Sequence, residues 1–174
     1  MAGVAVWVRR IASLALALVV ACGSDQGILG VARVDRPLPR LEGSTIDGRR
    51  LDAKTYADGR VLVINVWSET CAPCRREQPH LVSLARSLAP RGVRFLGINY
   101  LDDQDAARAW VREFDVPYPS LHDRSGRTAA DLGYPALPDT YVVDAGGTIR
   151  WVVYGEADAR QLAGLIEDVL GPTA

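Results

Sequence analysis

The chain of 174 residues has an ordinary globular composition, with 48% hydrophobic and 24% charged residues. Its length is enough to bury the core of one domain. The formal net charge of −1 gives no electrostatic reason to expect nucleic acid as a partner.

The first 21 residues have the pattern of a secretory signal peptide. Arg9 and Arg10 precede an apolar run, Ile11–Val20, which is followed by Ala21 and Cys22. A cysteine directly after a small residue resembles a bacterial lipobox, so we expect cleavage after residue 21 and a lipid on Cys22. The run is shorter than the ~20 apolar residues that span a bilayer, and an uncleaved anchor is the alternative. We therefore place the protein on the outer face of the bacterial cytoplasmic membrane, in the periplasm or at the cell surface.

The remaining chain divides into a tether and one domain. Residues 22–37 mix Gly, Ser, Asp, Arg and Pro without a sustained period, which predicts a flexible tether. The domain, residues 38–174, is predicted to begin with a hairpin over 41–51 that turns at Asp47-Gly48. The pattern then predicts, in chain order, a helical turn at 52–56, a buried strand at 61–67, a helix at 71–88, a strand at 93–100, helices at 104–114 and 128–132, strands at 140–143 and 149–153, and a helix at 158–170.

The central chemical feature is Cys71-Ala72-Pro73-Cys74, which follows the buried strand and opens the helix at 71–88. A helix N-terminus stabilises a thiolate, and the i, i+3 spacing brings both sulfurs to one face. This arrangement predicts a redox-active dithiol. A structural disulfide and half of a zinc site are the alternatives, but a loop this short gains little from cross-linking. His80 and His122 do not have the spacing of a second zinc ligand pair.

Three separated motifs resemble thioredoxin-fold proteins of the TlpA/ResA/CcmG group. They are Asn65-Val66-Trp67, then Cys71-Ala72-Pro73-Cys74-Arg75 with Glu77 and Pro79, and finally Leu137-Pro138-Asp139-Thr140. The resemblance implies an α/β thioredoxin-like fold, in which helices flank a central mixed sheet and an extra N-terminal hairpin precedes it. It also implies a membrane-tethered extracytoplasmic thiol–disulfide oxidoreductase with no cofactor beyond its redox-active Cys71–Cys74 disulfide.

The resemblance assigns roles to three residues. Cys71 is the attacking nucleophile, and Cys74 resolves the mixed disulfide. The Leu137–Pro138 bond is expected to be cis and to lie against the dithiol, so that the backbone of Leu137 pairs with an extended substrate segment. A trans Pro138 that opens a strand is the alternative, because only ~5–6% of X–Pro bonds are cis.

The chain departs from the group at Thr70, where an aromatic residue usually precedes the first cysteine. Asn65 occupies the place where thioredoxins keep a buried acid, and an amide cannot accept a proton there. Glu69 and Asp139 are therefore the candidate acids near the dithiol, since a nearby acid raises the cysteine pKa and can shuttle the proton of the resolving thiol. A solvated loop charge is the alternative for both residues.

The other singled-out residues have simpler interpretations. Arg75 either stabilises the thiolate or points to solvent, and Glu77 is predicted to be an acid on the helix surface. Trp67 is predicted to pack under the active-site turn, which Pro73 helps to shape. Trp110 and Trp151 are interpreted as core residues, and His80 and His122 as surface or packing residues. We expect no metal site.

The predicted function is disulfide exchange with exported client proteins that carry cysteine pairs, with the protein acting as a reductant. The resemblance implies apocytochrome c as one such client and a membrane thiol carrier as electron donor. We expect a lipid-anchored monomer with no nucleic-acid partner. An oxidant that inserts disulfides is the alternative. A thiol peroxidase would need a Pro-x-x-x-Thr-x-x-Cys motif, which is absent. A copper carrier would have a Cys-x-x-x-Cys motif, which the Cys-x-x-Cys spacing of this chain does not match.

Overall fold

A computed structural model describes residues 30–134 and 136–171 of the chain. Its strands are β1 (Gly30–Pro37), β2 (Glu42–Ser44), β3 (Arg50–Asp52), β4 (Leu62–Trp67), β5 (Arg94–Tyr100), β6 (Ser120–Asp123), β7 (Asp139–Val143) and β8 (Thr148–Tyr154). Its helices are α1 (Ala53–Ala57), α2 (Ala72–Leu88), α3 (Gln104–Glu113), α4 (Arg127–Asp131) and α5 (Ala159–Leu170).

The main sheet has six strands in the order β1-β8-β7-β4-β5-β6. Strand β5 pairs in parallel with both β4 and β6, whereas β4–β7, β7–β8 and β8–β1 are antiparallel. Every residue of β4 is buried because both faces of this central strand are covered. The sheet is therefore mixed and flanked by helices, and the predicted thioredoxin-like fold is confirmed.

The predicted N-terminal hairpin is present as β2 and β3, which pair only with each other in a two-stranded sheet. It packs against β6, the edge strand of the main sheet opposite β1. Thr45 forms an isolated bridge with Leu121, and the backbone N–H of Ile46 donates to the carbonyl of Ser120 at 2.9 Å. The hairpin thus covers β6, which would otherwise expose unpaired backbone groups.

The prediction of a tether is wrong for residues 30–37, which form the edge strand β1. Six residues of β1 pair with β8, more than 100 positions along the chain, with a register shift between Arg33 and Arg36. This strand was not predicted because it contains Gly, Pro and charged residues, which obscure a strand pattern. Such residues are tolerated here because β1 is an edge strand. Residues 22–29, the predicted signal peptide and Cys22 lie outside the described residues.

Strand β6 was also not predicted. It contains one aliphatic residue, Leu121, in four positions, so its hydrophobic pattern is too weak to indicate a strand. Strand β6 is instead stabilised by its parallel pairing with β5 and by its backbone bridge to the docked hairpin.

The sheet separates two large clusters of buried side chains, and a third lies near the dithiol. Alternation along β4 sends Leu62, Ile64 and Val66 to one face and Val61 and Val63 to the face covered by α2 and α5. The third cluster contains Ile46, Trp67, Cys74, Ala107 and Trp110. In the described part of the chain, no helix is both long and apolar enough to cross a membrane.

Candidate active site

The dithiol lies where β4 ends and α2 begins. Cys71 is the N-cap of α2, and its sulfur accepts a hydrogen bond from the backbone N–H of Cys74 at 3.2 Å. Pro73 occupies the first turn, where a missing N–H costs no helical hydrogen bond. The backbone N–H of Cys74 and the helix N-terminus both favour negative charge on the sulfur of Cys71.

The two cysteines differ in exposure as an attacking and a resolving thiol should. They form a disulfide with a Cα–Cα distance of 5.3 Å. Cys71 is half-buried, whereas Cys74 is only 1% exposed. A client sulfur can therefore approach Cys71 first, and Cys74 can attack only from within the protein.

An aromatic stack lies beneath the active-site turn. The rings of Trp67 and Trp110 are stacked with centroids 5.0 Å apart, in the cluster that contains Cys74. Gly97 makes room for this stack, because a Cβ at this position would lie 2.8 Å from Nε1 of Trp67. Trp67 thus packs under the turn and Trp110 lies in the core, as predicted.

The Leu137–Pro138 peptide bond is cis, in agreement with the prediction. Pro138 is buried, and Leu137 is half-buried against the same cluster that Cys71 contacts. The carbonyl of Pro138 accepts a hydrogen bond from the N–H of Gly155 at 2.8 Å, which fixes this loop to the end of β8. Pairing of the Leu137 backbone with a client segment stays a prediction.

Glu77 is a buried acid beside the dithiol whose position was not predicted. It is 1% exposed, and the prediction of an acid on the helix surface is wrong. Its Oε1 accepts from Nδ2 of Asn65 at 2.8 Å, and its Oε2 accepts from the N–H of Ala157 at 2.7 Å. Glu77 follows Cys74 by three positions, so the two side chains lie on one face of α2.

Burial raises the pKa of Glu77 to about 7, against the opposing effect of the hydrogen bonds from Ala157 and Asn65. A carboxyl group with a pKa near neutral exchanges a proton readily at physiological pH. The amide of Asn65 cannot itself accept the proton. It instead donates to the acid that can do so, and its Nδ2 also donates to Oγ1 of Thr140 at 3.0 Å.

Asp139 is a second buried acid, but it lies on the opposite face of the sheet. The register places Asn65 beside Thr140 and Val66 beside Asp139. The hydrogen bond from Asn65 to Glu77 shows that the Asn65–Thr140 pair faces α2. Alternation then directs Asp139 away from α2. Burial raises the pKa of Asp139 to about 7. Its predicted role as a proton shuttle stays a prediction, and Glu77 is the acid on the helix that carries Cys74.

A carboxylate bridge holds the turn before Cys71. Asp102 accepts from Oγ of Ser68 and from the N–H of Glu69, each at 2.7 Å, and also from Nδ2 of Asn99. The turn is thereby tied to the end of β5. The predicted role of Glu69 depends on its own carboxyl group and stays a prediction.

The guanidinium group of Arg75 contacts residues at the end of α3. It pairs with Glu113 and lies 4.7 Å from the ring centroid of Trp110 and 5.2 Å from that of Phe114. The side chain is still 41% exposed, in partial agreement with a position in solvent, and stabilisation of the thiolate by Arg75 stays a prediction.

The remaining predicted residues lie outside the site. Trp151 is half-buried and donates to Asp168 at 3.0 Å, and His80 is exposed. His122 is half-buried and contacts Oδ1 of Asn99 at 3.0 Å. Across residues 30–134 and 136–171, no three His, Cys, Asp or Glu side chains group as metal ligands.

Together these features define a class of protein. A half-exposed cysteine at a helix N-terminus, a buried partner cysteine, a cis-proline loop and a buried acid are the parts needed for dithiol–disulfide exchange. The fold and the site are those of a thioredoxin-fold thiol–disulfide oxidoreductase.

Comparison with known proteins gives the family. The chain belongs to the AhpC/TSA family, whose model matches residues 34–152. It is 34% identical to the thiol:disulfide interchange protein DsbE of Yersinia pestis over 79% of this chain and 73% of that protein. It is 37% identical to DsbE of Pseudomonas aeruginosa over 84% of this chain and 82% of that protein. These relatives confirm thiol–disulfide exchange with cysteine-containing proteins as the function.

A solved structure shows the same fold. A secreted thiol-disulfide isomerase from Corynebacterium glutamicum superposes with a TM-score of 0.76 at 27% identity. The match covers 84% of this chain and 94% of that chain.

Proposed function

We propose that the protein is an extracytoplasmic reductant, which keeps cysteine pairs of exported proteins in the dithiol form. The observation that carries this proposal is buried Glu77, one helical turn after Cys74. A carboxylate near a dithiol disfavours the thiolate and so destabilises the reduced form. A dithiol whose reduced form is destabilised gives up its electrons more easily.

The charges around the dithiol support the same direction. Glu77 and the Asp102 bridge bring carboxyl groups to both sides of the active-site turn. Arg75, the cation that directly follows Cys74 in the chain, is paired with Glu113, which offsets its charge. The thiolate of Cys71 is left with the backbone N–H of Cys74 and the helix N-terminus as its stabilising groups.

The exchange takes two steps. The thiolate of Cys71 attacks one sulfur of the client disulfide, whose S–S bond breaks, and the second client sulfur leaves and takes up a proton. Cys74 then transfers its proton to Glu77 and attacks the sulfur of Cys71. The bond to the client breaks and the Cys71–Cys74 disulfide forms. Two electrons have passed to the client, and the redox centre needs no cofactor beyond these two cysteines.

The partners follow from this direction of electron flow. A membrane thiol carrier must restore the dithiol after each turnover, and apocytochrome c is the proposed client. Cleavage of the signal after residue 21 and a lipid on Cys22 would keep a monomeric domain at the outer face of the membrane. The secreted relative from Corynebacterium glutamicum supports an extracytoplasmic location.

The reduction potential tests the direction. Equilibration of the native protein with glutathione buffers, followed by thiol alkylation, is expected to give a value nearer ~−270 mV than ~−120 mV. The centre should also be mainly reduced when thiols are trapped in cells. A potential near ~−120 mV with a fully oxidised pool would show an oxidant instead.

The anchor is tested separately. Mass spectrometry of the native N-terminus should find a lipid on Cys22, and Cys22→Ala should release the protein from membranes. Recovery of an intact, unmodified N-terminus would instead show that the signal is retained as an anchor.

A further inference from the structure

The turn that leads into Cys71 is held from one side by a single carboxylate. The turn, residues 68–71, is closed by a hydrogen bond from the N–H of Cys71 to the carbonyl of Ser68 at 3.1 Å. Asp102 accepts from this turn at two points, the Oγ of Ser68 and the N–H of Glu69, each at 2.7 Å. The position of Cys71 therefore depends on where Asp102 is held.

Asn99 connects Asp102 to the interior of the sheet. It lies on β5, is fully buried, and its Nδ2 donates to Oδ2 of Asp102. Its Oδ1 lies 3.0 Å from Nδ1 of His122, which is its neighbour on β6 in the parallel pairing. Because the NH₂ of the amide faces the carboxylate, the amide oxygen faces the imidazole. An oxygen only accepts, so Nδ1 of His122 must carry the proton of this hydrogen bond.

His122 is therefore the last donor of the series on β6. Burial lowers the pKa of His122, and the charge of Arg124 acts in the same direction, so the ring is neutral at pH 7 and has one N–H. The other nitrogen, Nε2, is buried without a hydrogen-bond partner among the described residues. An apolar side chain would avoid the cost of that nitrogen. What a histidine adds at this position is the bond from Nδ1–H to Asn99.

The other end of the series is Thr70, where the chain departs from the TlpA/ResA/CcmG group. The hydroxyl groups of Ser68 and Thr70 lie 3.1 Å apart. Ser68 gives its proton to Asp102, because a carboxylate only accepts, so Thr70 must donate to Ser68. The donors on both sides thus point toward Asp102, and the series runs without a break from His122 to the residue before Cys71.

We propose that His122 is a positioning residue for the dithiol, which acts through Asn99 and Asp102 on the turn that carries Cys71. The proposal rests on disulfide exchange through Cys71 and Cys74 and is independent of the direction of electron flow. A disulfide forms only when both sulfurs are held in a specific geometry. A turn that is already held loses less conformational freedom when the disulfide closes, and so favours the oxidised form.

Two substitutions separate the two nitrogens of His122. Asparagine places an amide N–H where Nδ1 lies, whereas glutamine places one where Nε2 lies. His122→Asn can therefore still donate to Asn99, and His122→Gln cannot. Both side chains are neutral and polar, so the pair differs mainly in the position of the donor.

The measurement is the equilibrium constant of the native exported protein with glutathione. The Cys71–Cys74 disulfide forms as one glutathione disulfide is reduced to two glutathione thiols, and alkylation of the remaining thiols gives the oxidised fraction. His122→Gln should lower the equilibrium constant for disulfide formation by about fivefold, the effect of one net hydrogen bond. His122→Asn should stay within about twofold of the wild type, since it keeps that bond.

The second histidine of the chain supplies a matched control. His80 is exposed on α2, the helix that carries Cys74, and His80→Gln should leave the equilibrium constant unchanged. A role of His122 in folding alone gives a different result. It would destabilise the oxidised and reduced proteins equally, and the equilibrium constant would stay at the wild-type value.

The route through Asp102 is tested with Ser68→Ala, which removes one of the two bonds from the turn to Asp102. This variant should also lower the equilibrium constant. Adding His122→Gln to it should cost less than the roughly fivefold loss that His122→Gln causes alone, because residues of one network are not additive.

Four results would overturn the proposal. They are a wild-type constant in His122→Gln, equal losses in His122→Gln and His122→Asn, a loss of the same size in His80→Gln, and a full independent loss when His122→Gln is added to Ser68→Ala. Absence of any exchange between the wild type and glutathione would instead refute the oxidoreductase function on which the proposal rests.

Discussion

Two buried carboxyl groups lie on opposite faces of the central sheet, and burial raises the pKa of each to about 7. Glu77 has a partner for each oxygen, at 2.8 and 2.7 Å, and lies one turn after Cys74. Asp139 has one long contact, in which Oδ1 accepts from Gly155 at 3.4 Å. Its Oδ2 is buried without a hydrogen-bond partner among the described residues. Similar acidity therefore arises in two quite different settings.

Burial raises the pKa of both acids, but the position of each acid decides which group can exchange a proton with it. Removal from water accounts for the raised pKa of both acids. Only the face of the sheet decides which group the proton can reach. Glu77 shares a helix face with the resolving cysteine, whereas Asp139 shares its face with Tyr141 in the other cluster. We expect variants of the two acids to differ in kinetics and to agree in stability.

The largest expected effect belongs to Cys74→Ser, which removes the thiol that Glu77 serves. Turnover should fall by at least about 10³-fold, and the mixed disulfide between Cys71 and the client should accumulate because nothing resolves it. Non-reducing electrophoresis of quenched reactions measures this species.

The Cys74→Ser background also isolates the first attack by Cys71 from the resolution step. With Cys74 gone, neither Glu77→Gln nor Asp139→Asn should slow the first attack by Cys71. A further slowing caused by Glu77→Gln would mean that Glu77 acts on Cys71 or on the fold.

The next effect is on resolution of the mixed disulfide. Glu77→Gln should slow this step by about 10²-fold, the low end of the contribution of a general base. Glutamine can still accept from Ala157, so the fold is kept. Asp139→Asn should change the rate by less than about threefold. Rapid-quench measurements of a preformed mixed disulfide give both rates, and reversal of their order would assign the shuttle to Asp139.

A smaller effect concerns stability and should be shared by both acids. A folded-state pKa raised from its ordinary value to about 7 stabilises the protonated fold, so the stabilisation is complete below about pH 4 and is lost as pH rises through 7. At pH 8, Glu77→Gln and Asp139→Asn should each raise the free energy of unfolding by roughly 1–2 kcal/mol. Urea unfolding of the oxidised proteins at pH 4 and pH 8 checks this, with little change expected at pH 4.

The smallest effect belongs to Thr140→Val. It removes one acceptor of Asn65 but leaves the Asn65–Glu77 bond, so the expected cost is about 1 kcal/mol of stability. Resolution should change less than about threefold. Loss of resolution as large as that of Glu77→Gln would show that the whole network, rather than the acid, carries the step.

Local motifs made much of this site predictable. The cysteine pair is contiguous in sequence, and its chemistry depends on neighbours a few positions away. The cis Leu137–Pro138 bond was predicted only from the resemblance to the TlpA/ResA/CcmG group, because few X–Pro bonds are cis. The main strands and helices follow from hydrophobic period, which is also a local signal. Elements without such a signal were missed: β1 exists because β8 pairs with it across the fold, and β6 because β5 does.

Glu77 was missed because its burial is a long-range event. It depends on Asn65, twelve positions earlier, and on Ala157, eighty positions later. One local signal could have found it, since Cys74, Glu77 and Leu81 fall on the buried stripe of α2. An acid within an apolar stripe, one turn from a reactive cysteine, indicates a buried acid rather than a surface charge.

The most direct test of the account is the pH dependence of resolution between pH 5 and pH 9. In the wild type the rate should rise through an apparent pKa near 7, below the ~8.5 of an ordinary thiol. Asp139→Asn should keep this step, and Glu77→Gln should lose it and follow thiol ionisation alone. A step near pH 7 that survives in Glu77→Gln would contradict the assignment of Glu77 as the acid that serves Cys74.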